Sequence, residues 1–117
     1  MEIINEQKAA IEKAAVKFLA DEFSRRDIPV KVYFDSELLA IRISDFFSAA
    51  EVQACGKDKK SADLIQDTYL KQFEISQSSL IDSISGITGK KVMSTQIRFE
   101  PQNCLITIIL AEDTEAA

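Results

Sequence analysis

Few side chains in this sequence could do chemistry, and histidine is absent. The two cysteines are Cys55 and Cys104. A cysteine nucleophile needs a base to activate it, most often histidine, so neither thiol has its usual activator. Cys104 lies in an apolar run and is predicted to be a small core residue. Cys55 lies in a turn-like stretch beside Lys57, where we expect a half-exposed thiol with no catalytic task.

Carboxylates are plentiful, but they form no predicted catalytic or metal-binding set. Asp63 and Asp67 are one helical turn apart on a face that also carries Lys59 and Lys71, a pattern typical of surface ion pairs. A catalytic carboxylate pair needs two different environments in one cleft, and a carboxylate metal site needs a denser cluster. No nucleophile, base and orienting group can be named together. The sequence therefore predicts no enzyme activity, no metal and no cofactor.

The segment Gly86-Ile87-Thr88-Gly89-Lys90-Lys91 superficially resembles two phosphate-binding loops. A P-loop has a different glycine spacing, a Ser or Thr after its lysine, and a strand before it. The GxxG loop of an RNA-binding KH module joins two helices. Since this segment is predicted to lead from a helix into a strand, we interpret it as a helix stop followed by a tight turn.

Charge argues against nucleic acid as a partner, and hydropathy argues against a membrane span. Lys and Arg total 14 and Asp and Glu total 19, for a net charge of -5, and the basic runs 57–60 and 90–91 are too short for a basic stripe. The N-terminus is acidic and lacks a signal-peptide core. No stretch approaches the ~20 apolar residues that cross a bilayer. With only two cysteines, these features predict a soluble cytoplasmic protein without direct membrane insertion.

Apolar residues at helical spacing predict two long amphipathic helices, over residues 4–26 and 61–84. Pro29 stops the first helix, because the residue before a proline is pushed out of the α region. Gly86 and Gly89 are predicted to break the second helix, which serines already weaken near its end.

The segment between the helices carries both a capping signal and an aromatic pair. Ser48 and Glu51 have the spacing of a capping box, which predicts a short helix ending near Gly56. Phe46 and Phe47 precede it and form an apolar cluster outside the regular elements. Two interpretations stay open for these rings: core beneath a loop, or an aromatic docking contact for another protein.

Alternating residues predict two hairpins, with strands over 30–35 and 38–44, and over 90–99 and 103–111. The last strand is apolar on both faces, which predicts a cover on both sides, by a helix and by a partner subunit. The tail, 112–117, is predicted to be frayed.

The predicted fold class is α+β, a two-layer sandwich with element order α-β-β-(α)-α-β-β. A four-stranded antiparallel sheet carries helices packed on one face, in a single domain over residues 1–117. The 61–84 helix would be about 36 Å long. A four-stranded sheet is only about 19 Å wide, so the helix overhang predicts a homodimer.

Two sets of candidate binding residues follow from this arrangement. Phe46 and Phe47, together with Lys90 and Lys91, are predicted to contact a protein partner.

The alternative set is Tyr33, Arg42 and Arg98, predicted to line an anion or small-molecule pocket between the helix layer and the sheet. An arginine in the middle of a strand needs an anion or carboxylate partner if it is buried. The alternative for both arginines is that they face water.

Several segments together resemble the MpsC-like family, a small bacterial family once known only as a domain of unknown function. Its name comes from component C of a sodium-translocating, membrane potential-generating system. The resemblance extends from the first helix to Leu110. The segments that carry it are Pro29 to Phe34, Leu38 to Ile43, Phe47 to Glu51, Thr88 to Val92, and the closing strand 104–110.

The resemblance implies a soluble, non-enzymatic domain of the predicted fold. Some members of this family act beside a membrane cation and inorganic-carbon transport system. For this chain it implies an accessory or regulatory interaction protein with a membrane transporter subunit as a partner. The alternative, drawn from the arginines rather than from the resemblance, is a sensor that binds a small molecule or an anion.

Overall fold

A computed structural model describes residues 2–35, 37–99 and 103–111. The helices and strands follow one another in the predicted order, α-β-β-α-α-β-β, so the predicted α+β class is confirmed. The elements are α1 (Glu2–Phe23), β1 (Val30–Asp35), β2 (Leu38–Ile43), α2 (Ala49–Lys57), α3 (Lys59–Thr88), β3 (Val92–Phe99) and β4 (Cys104–Leu110). Ser36, residues 100–102 at the second predicted turn, and the predicted frayed tail 112–117 lie outside the described residues.

The four strands form one antiparallel sheet in the order β1-β2-β4-β3. Each hairpin supplies one edge strand and one central strand. The two hairpins meet where β2 pairs with β4, with Leu39 opposite Ile108 and Ile41 opposite Ile106. The central pair β2–β4 therefore holds the two halves of the chain together.

The core lies between the helices and one face of the sheet. Alternate strand residues point inward and are buried on the central strands β2 and β4, while α1 and α3 supply the opposing layer. Ile41 and Ile108 on the sheet and Ile11 and Ile84 on the helices are each 0% exposed. Burying one such side chain contributes about 1.5–3 kcal/mol, so this layer is the main stabilising feature of the fold.

Both long helices have boundaries that differ from the sequence prediction, most clearly at their C-terminal ends. Helix α1 ends at Phe23 rather than residue 26, because Ser24 takes a left-handed conformation with φ 54° and Arg25 N–H donates to the Leu19 carbonyl at 3.0 Å. Helix α3 runs through Gly86 and ends at Gly89, which has φ 71° and donates its N–H to Ser85 O at 2.8 Å. The left-handed glycine, rather than the first glycine, ends the helix.

The Ser48–Glu51 capping box is confirmed, with both of its reciprocal hydrogen bonds present. The predicted helix end near Gly56 is confirmed, since α2 ends at Lys57, but Gly56 lies inside the helix rather than just after it. Asp58, in an extended conformation, instead ends α2 and caps α3 by accepting from Ser61 N–H at 2.7 Å.

The sequence predicts that the long helix extends beyond the sheet and needs a partner to cover it. Helix α3 has 30 residues, and α2 and α1 both pack against it. The chain itself therefore covers part of α3.

Candidate functional site

No helix or strand in the described part of the chain packs on the face of the sheet turned away from the helices, although Lys8 of α1 lines a pocket at its β1 edge with Tyr33 and Leu38. We call this face the open face. Strand register places its side chains in three rows that cross the sheet. The residues of the open face are Lys31, Tyr33, Asp35, Leu38, Ala40, Arg42, Ser94, Gln96, Arg98, Leu105, Thr107 and Ile109.

One row of the open face is cationic. Lys31 is opposite Arg42, Arg42 is opposite Leu105, and Leu105 is opposite Arg98. The three basic side chains are exposed, and none forms an ion pair within residues 2–35, 37–99 and 103–111. The Lys31 ammonium lies 5.2 Å from the ring centre of Tyr33 in a cation–π contact. This row can bind carboxylates or oxyanions through charge-assisted hydrogen bonds.

The opposite row of the open face is largely apolar. Leu38 is opposite Ile109, which is opposite Ser94, while Asp35 ends the row on β1. Leu38 is 50% exposed and Ile109 is 47% exposed. Between the two outer rows run Tyr33, Ala40, Thr107 and Gln96. The face thus changes from cationic at one end to apolar at the other.

Tyr33, Arg42 and Arg98, the predicted ligand residues, all lie on the open face rather than between the helices and the sheet. The structure brings both arginines to one row, on either side of Leu105, and places Tyr33 in the next row. Being in the middle of a strand does not bury them, because successive residues point to opposite faces. They face water, which was the alternative for both arginines.

Phe46 and Phe47 lie in the core, at 1% and 4% exposure. Their rings form an edge-to-face pair with centres 5.4 Å apart, and Phe46 meets Tyr69 of α3 at 4.9 Å. Phe99 of β3 closes the cluster from the sheet. The conformation matches the core interpretation of these rings.

A polar network beside this cluster has no counterpart in the sequence prediction. Glu51 Oε1 accepts from Arg25 at 2.9 Å, and Glu51 Oε2 accepts from the Tyr69 hydroxyl at 2.6 Å. Arg25 also hydrogen-bonds to the Tyr69 hydroxyl, and its guanidinium lies 5.8 Å from the Phe46 ring centre. The network joins the end of α1 to α2 and α3. The sequence indicates only the capping role of Glu51. Its other partners, Arg25 and Tyr69, lie 26 and 18 residues away along the chain, too far for a local pattern to reveal them.

The network shifts the pKa of both of its acidic groups. Partial burial, and then the hydrogen bond to Glu51, raise the pKa of Tyr69 to about 12. Partial burial pushes the pKa of Glu51 upward, but hydrogen bonds from Tyr69 and Ser48 and the charge of Arg25 outweigh it and hold that pKa below its usual value. At neutral pH the network therefore contains a carboxylate, a guanidinium and a neutral phenol.

Lys90 and Lys91 lie at the turn between α3 and β3, at the opposite end of the sheet from Phe46 and Phe47. Tyr69, which contacts the phenylalanines, is about 30 Å along α3 from that turn. Lys91 is exposed and Lys90 is partly buried. The four predicted partner contacts thus do not form one surface, and their role remains a prediction.

The Cys104 thiol is buried, and the described acidic groups are dispersed. Burial raises the pKa of the Cys104 thiol to about 12, so this thiol stays protonated near neutral pH. In residues 2–35, 37–99 and 103–111, no three Cys, Asp or Glu side chains lie close enough to hold a metal ion.

A surface groove of about 450 Å³ lies between α1 and α3. Phe18 and Leu80 line its floor, and Asp21 and Asp82 contribute negative charge to its lining. Asp21 is already paired with Lys17 at 2.7 Å. None of the predicted binding residues lines this groove.

Comparison with known families gives one match over nearly the whole chain. The model of a family described as "MpsC: Na+-translocating membrane potential-generating system (MpsC)" matches residues 5–112. Comparisons with curated proteins and with solved structures gave no match. Among the described helices, none is long and apolar enough to cross a membrane.

Proposed function

The chain belongs to the MpsC family, and from this premise we propose that it is a non-enzymatic accessory domain that acts by binding other protein chains. Its partners in this proposal are a second copy of itself and a subunit of a membrane system that transports cations or inorganic carbon. The domain would work in the cytoplasm, beside the membrane rather than within it. The family description, which names a sodium-translocating membrane potential-generating system, supports the link to such a system.

The open face is the observation that carries the proposal. Three of its residues, Tyr33, Leu38 and Ile109, are large apolar side chains about half exposed to water. Clustered apolar residues on one surface of a soluble domain are typical of protein interfaces. Arginine is also enriched at interfaces, and Arg42 and Arg98 flank the apolar Leu105 in the cationic row. The face thus has the composition of a binding surface and no cover from the described parts of its own chain.

An affinity capture from the native cell tests this function. The tagged protein is recovered in mild detergent, and co-purified membrane proteins are identified by mass spectrometry. The same capture is made with Ile109→Lys, which places a charge on the open face, and with Ile75→Lys as the matched control. Ile75 lies on α3 and is 83% exposed, so the control adds the same charge away from the sheet.

We expect wild type and Ile75→Lys to recover the same membrane transport subunit, and Ile109→Lys to recover much less of it. Equal recovery by all three proteins would show that the open face is not needed for the assembly. Absence of any membrane subunit with wild type would count against the link to a membrane system.

A second candidate function is anion binding by the cationic row. It is favoured by the placement of Lys31, Arg42 and Arg98 in one row without a carboxylate partner among the described residues. Titration calorimetry with inorganic phosphate and with bicarbonate tests it. Binding that is lost in Arg42→Gln with Arg98→Gln, and kept in Lys71→Gln, would support a sensor. No heat of binding to wild type would remove this candidate.

A further inference from the structure

We propose that a second copy of this chain covers the open face, with the two sheets packed face to face about a two-fold axis that runs across the strands. The inference rests on the proposed function, because both require that the open face binds a protein chain. Of the two partners proposed there, it assigns the second copy to the open face, and it adds the orientation of the two sheets.

The central strand β4 provides the first argument for a covering layer. Its inward residues Ile106 and Ile108 pack under the helices, while its outward residues Leu105 and Ile109 are also apolar. A strand with one wet face normally alternates apolar and polar residues. Strands that are apolar on both faces are typical of sheets covered on both sides, so β4 is built for a second layer that the described chain does not supply.

The distribution of charge then selects the orientation. A two-fold axis parallel to the strands would place β1 over β3 of the partner, so that Lys31 faces the partner's Arg98. Like charges face to face are unfavourable in an interface. An axis across the strands instead reverses the rows and keeps β1 over β1.

With the rows reversed, the cationic row of each copy faces the apolar row of the other. Lys31 then faces Asp35 of the second copy, and this contact occurs twice because of the symmetry. Arg42 lies over Leu38, where its aliphatic stem can cover the leucine while its charge reaches water. Leu105 packs on Ile109. Every charged residue of the face thus gains an opposite charge or keeps access to solvent.

The area of the open face limits the expected affinity of the dimer. Four strands and five residues per strand give about 19 Å by 17 Å. This is about 320 Å² per copy, well below the roughly 800 Å² per partner of a standard specific interface, so we expect a weak dimer with a dissociation constant of about 100 μM. The oligomeric state must therefore be measured across a wide range of concentration.

Sedimentation equilibrium of the purified protein at concentrations from about 1 to 500 μM provides the first test. We expect a monomer–dimer equilibrium for wild type and for Ile75→Lys. Ile109→Lys faces the partner's cationic row, so we expect its dimer to be at least about a hundredfold weaker. Circular dichroism checks that the variants are folded, and Leu38→Lys gives a second position on the same row if Ile109→Lys does not fold.

A charge exchange tests the orientation. Lys31→Asp and Asp35→Lys each place like charges opposite one another, and each should weaken the dimer by about tenfold. The double variant Lys31→Asp with Asp35→Lys restores two opposite-charge contacts and should recover most of the affinity. If the axis instead ran along the strands, Lys31→Asp would face Arg98 and strengthen the dimer.

The outcomes separate this inference from the proposed function. A wild-type protein that stays monomeric at all concentrations, or a dimer that Ile109→Lys and Leu38→Lys leave intact, overturns the inference. A monomer that still captures a membrane subunit through the open face would leave the proposed function standing. A dimer that the variants weaken as predicted, together with no captured membrane subunit, would support this inference and count against the proposed link to a membrane system.

Discussion

The two faces of the sheet are built from alternate residues of the same strands, yet their surroundings are opposite. Ile108 is 0% exposed beneath the helices, while its neighbour Ile109 is 47% exposed on the open face. Both are isoleucines in the central strand β4, so neither residue type nor position in the sheet separates them. The side on which α1 and α3 pack makes the difference. An apolar residue in this sheet is therefore a core residue on one face and a candidate contact residue on the other.

The largest effect is expected where aromatic rings fill the inner core. Phe46→Ala with Phe47→Ala removes two buried rings, and each such change typically costs about 3–5 kcal/mol. We expect the double variant to unfold, as shown by loss of a cooperative urea transition. Tyr33→Ala, which removes a half-exposed ring from the open face, is the control and should stay folded. A folded double variant that no longer binds its partner would show instead that these rings are a docking contact.

The neighbouring isoleucines give the most direct comparison of the two faces. Ile108→Ala leaves a cavity in the core and should lower the free energy of unfolding by about 2–5 kcal/mol. Ile109→Ala should lower it by less than about 1 kcal/mol in the monomer. Urea unfolding at a protein concentration that keeps the chain monomeric measures both. Similar losses for the two variants would contradict the assignment of the open face.

Glu51 lies at the margin of the core and is expected to have an intermediate effect. Glu51→Gln removes the charge that faces Arg25 and should cost about 1–2 kcal/mol at neutral pH. The pKa of Glu51 is lower in the folded chain than its ordinary value of 4.5. The charged carboxylate therefore stabilises the fold at pH values above 4.5, and this stabilisation is lost as the pH falls from 4.5 through the pKa of the folded chain. Urea unfolding at several pH values should therefore show a smaller acid-induced loss in Glu51→Gln than in wild type. An equal loss in both proteins would contradict the role of Glu51.

The smallest effect on stability is expected in the cationic row. Arg42→Gln with Arg98→Gln removes two exposed charges and should change the free energy of unfolding of the monomer by no more than about 0.5 kcal/mol. Thermal unfolding is sufficient to check this. A loss of several kcal/mol would mean that the arginines have structural partners, and the open face would no longer be a candidate binding surface.

The parts of the fold that could be predicted depend on local patterns. The Ser48–Glu51 cap needs only two residues three apart, and both of its hydrogen bonds are present. The end of α3 is harder to predict from the sequence, because Gly86 and Gly89 are both typical residues at the end of a helix. Gly89 ends α3 because its backbone takes the left-handed conformation, with φ 71°.

The candidate site could be predicted only in part. Arg42 and Arg98 were recognised as unusual charges within strands, but alternation alone does not say which face the helices cover. The link from Glu51 to Arg25 and Tyr69 left no signal in the sequence, because it joins three segments that are distant along the chain. Nor does the sequence show that Phe46 and Lys91 lie at opposite ends of the sheet.

By itself, the sequence determined the order of helices and strands, the α+β class and the family to which the chain belongs. The element order and the fold class follow from periodicity and capping, which depend on residues close together along the chain. The family follows from the match of its model to residues 5–112. Tertiary structure alone decided which face of the sheet is buried and which residues share a row. Those properties arise from contacts between distant segments, above all the pairing of β2 with β4 and the packing of α1 and α3 on one side. The open face exists because every helix that the structure describes lies on the other side of the sheet.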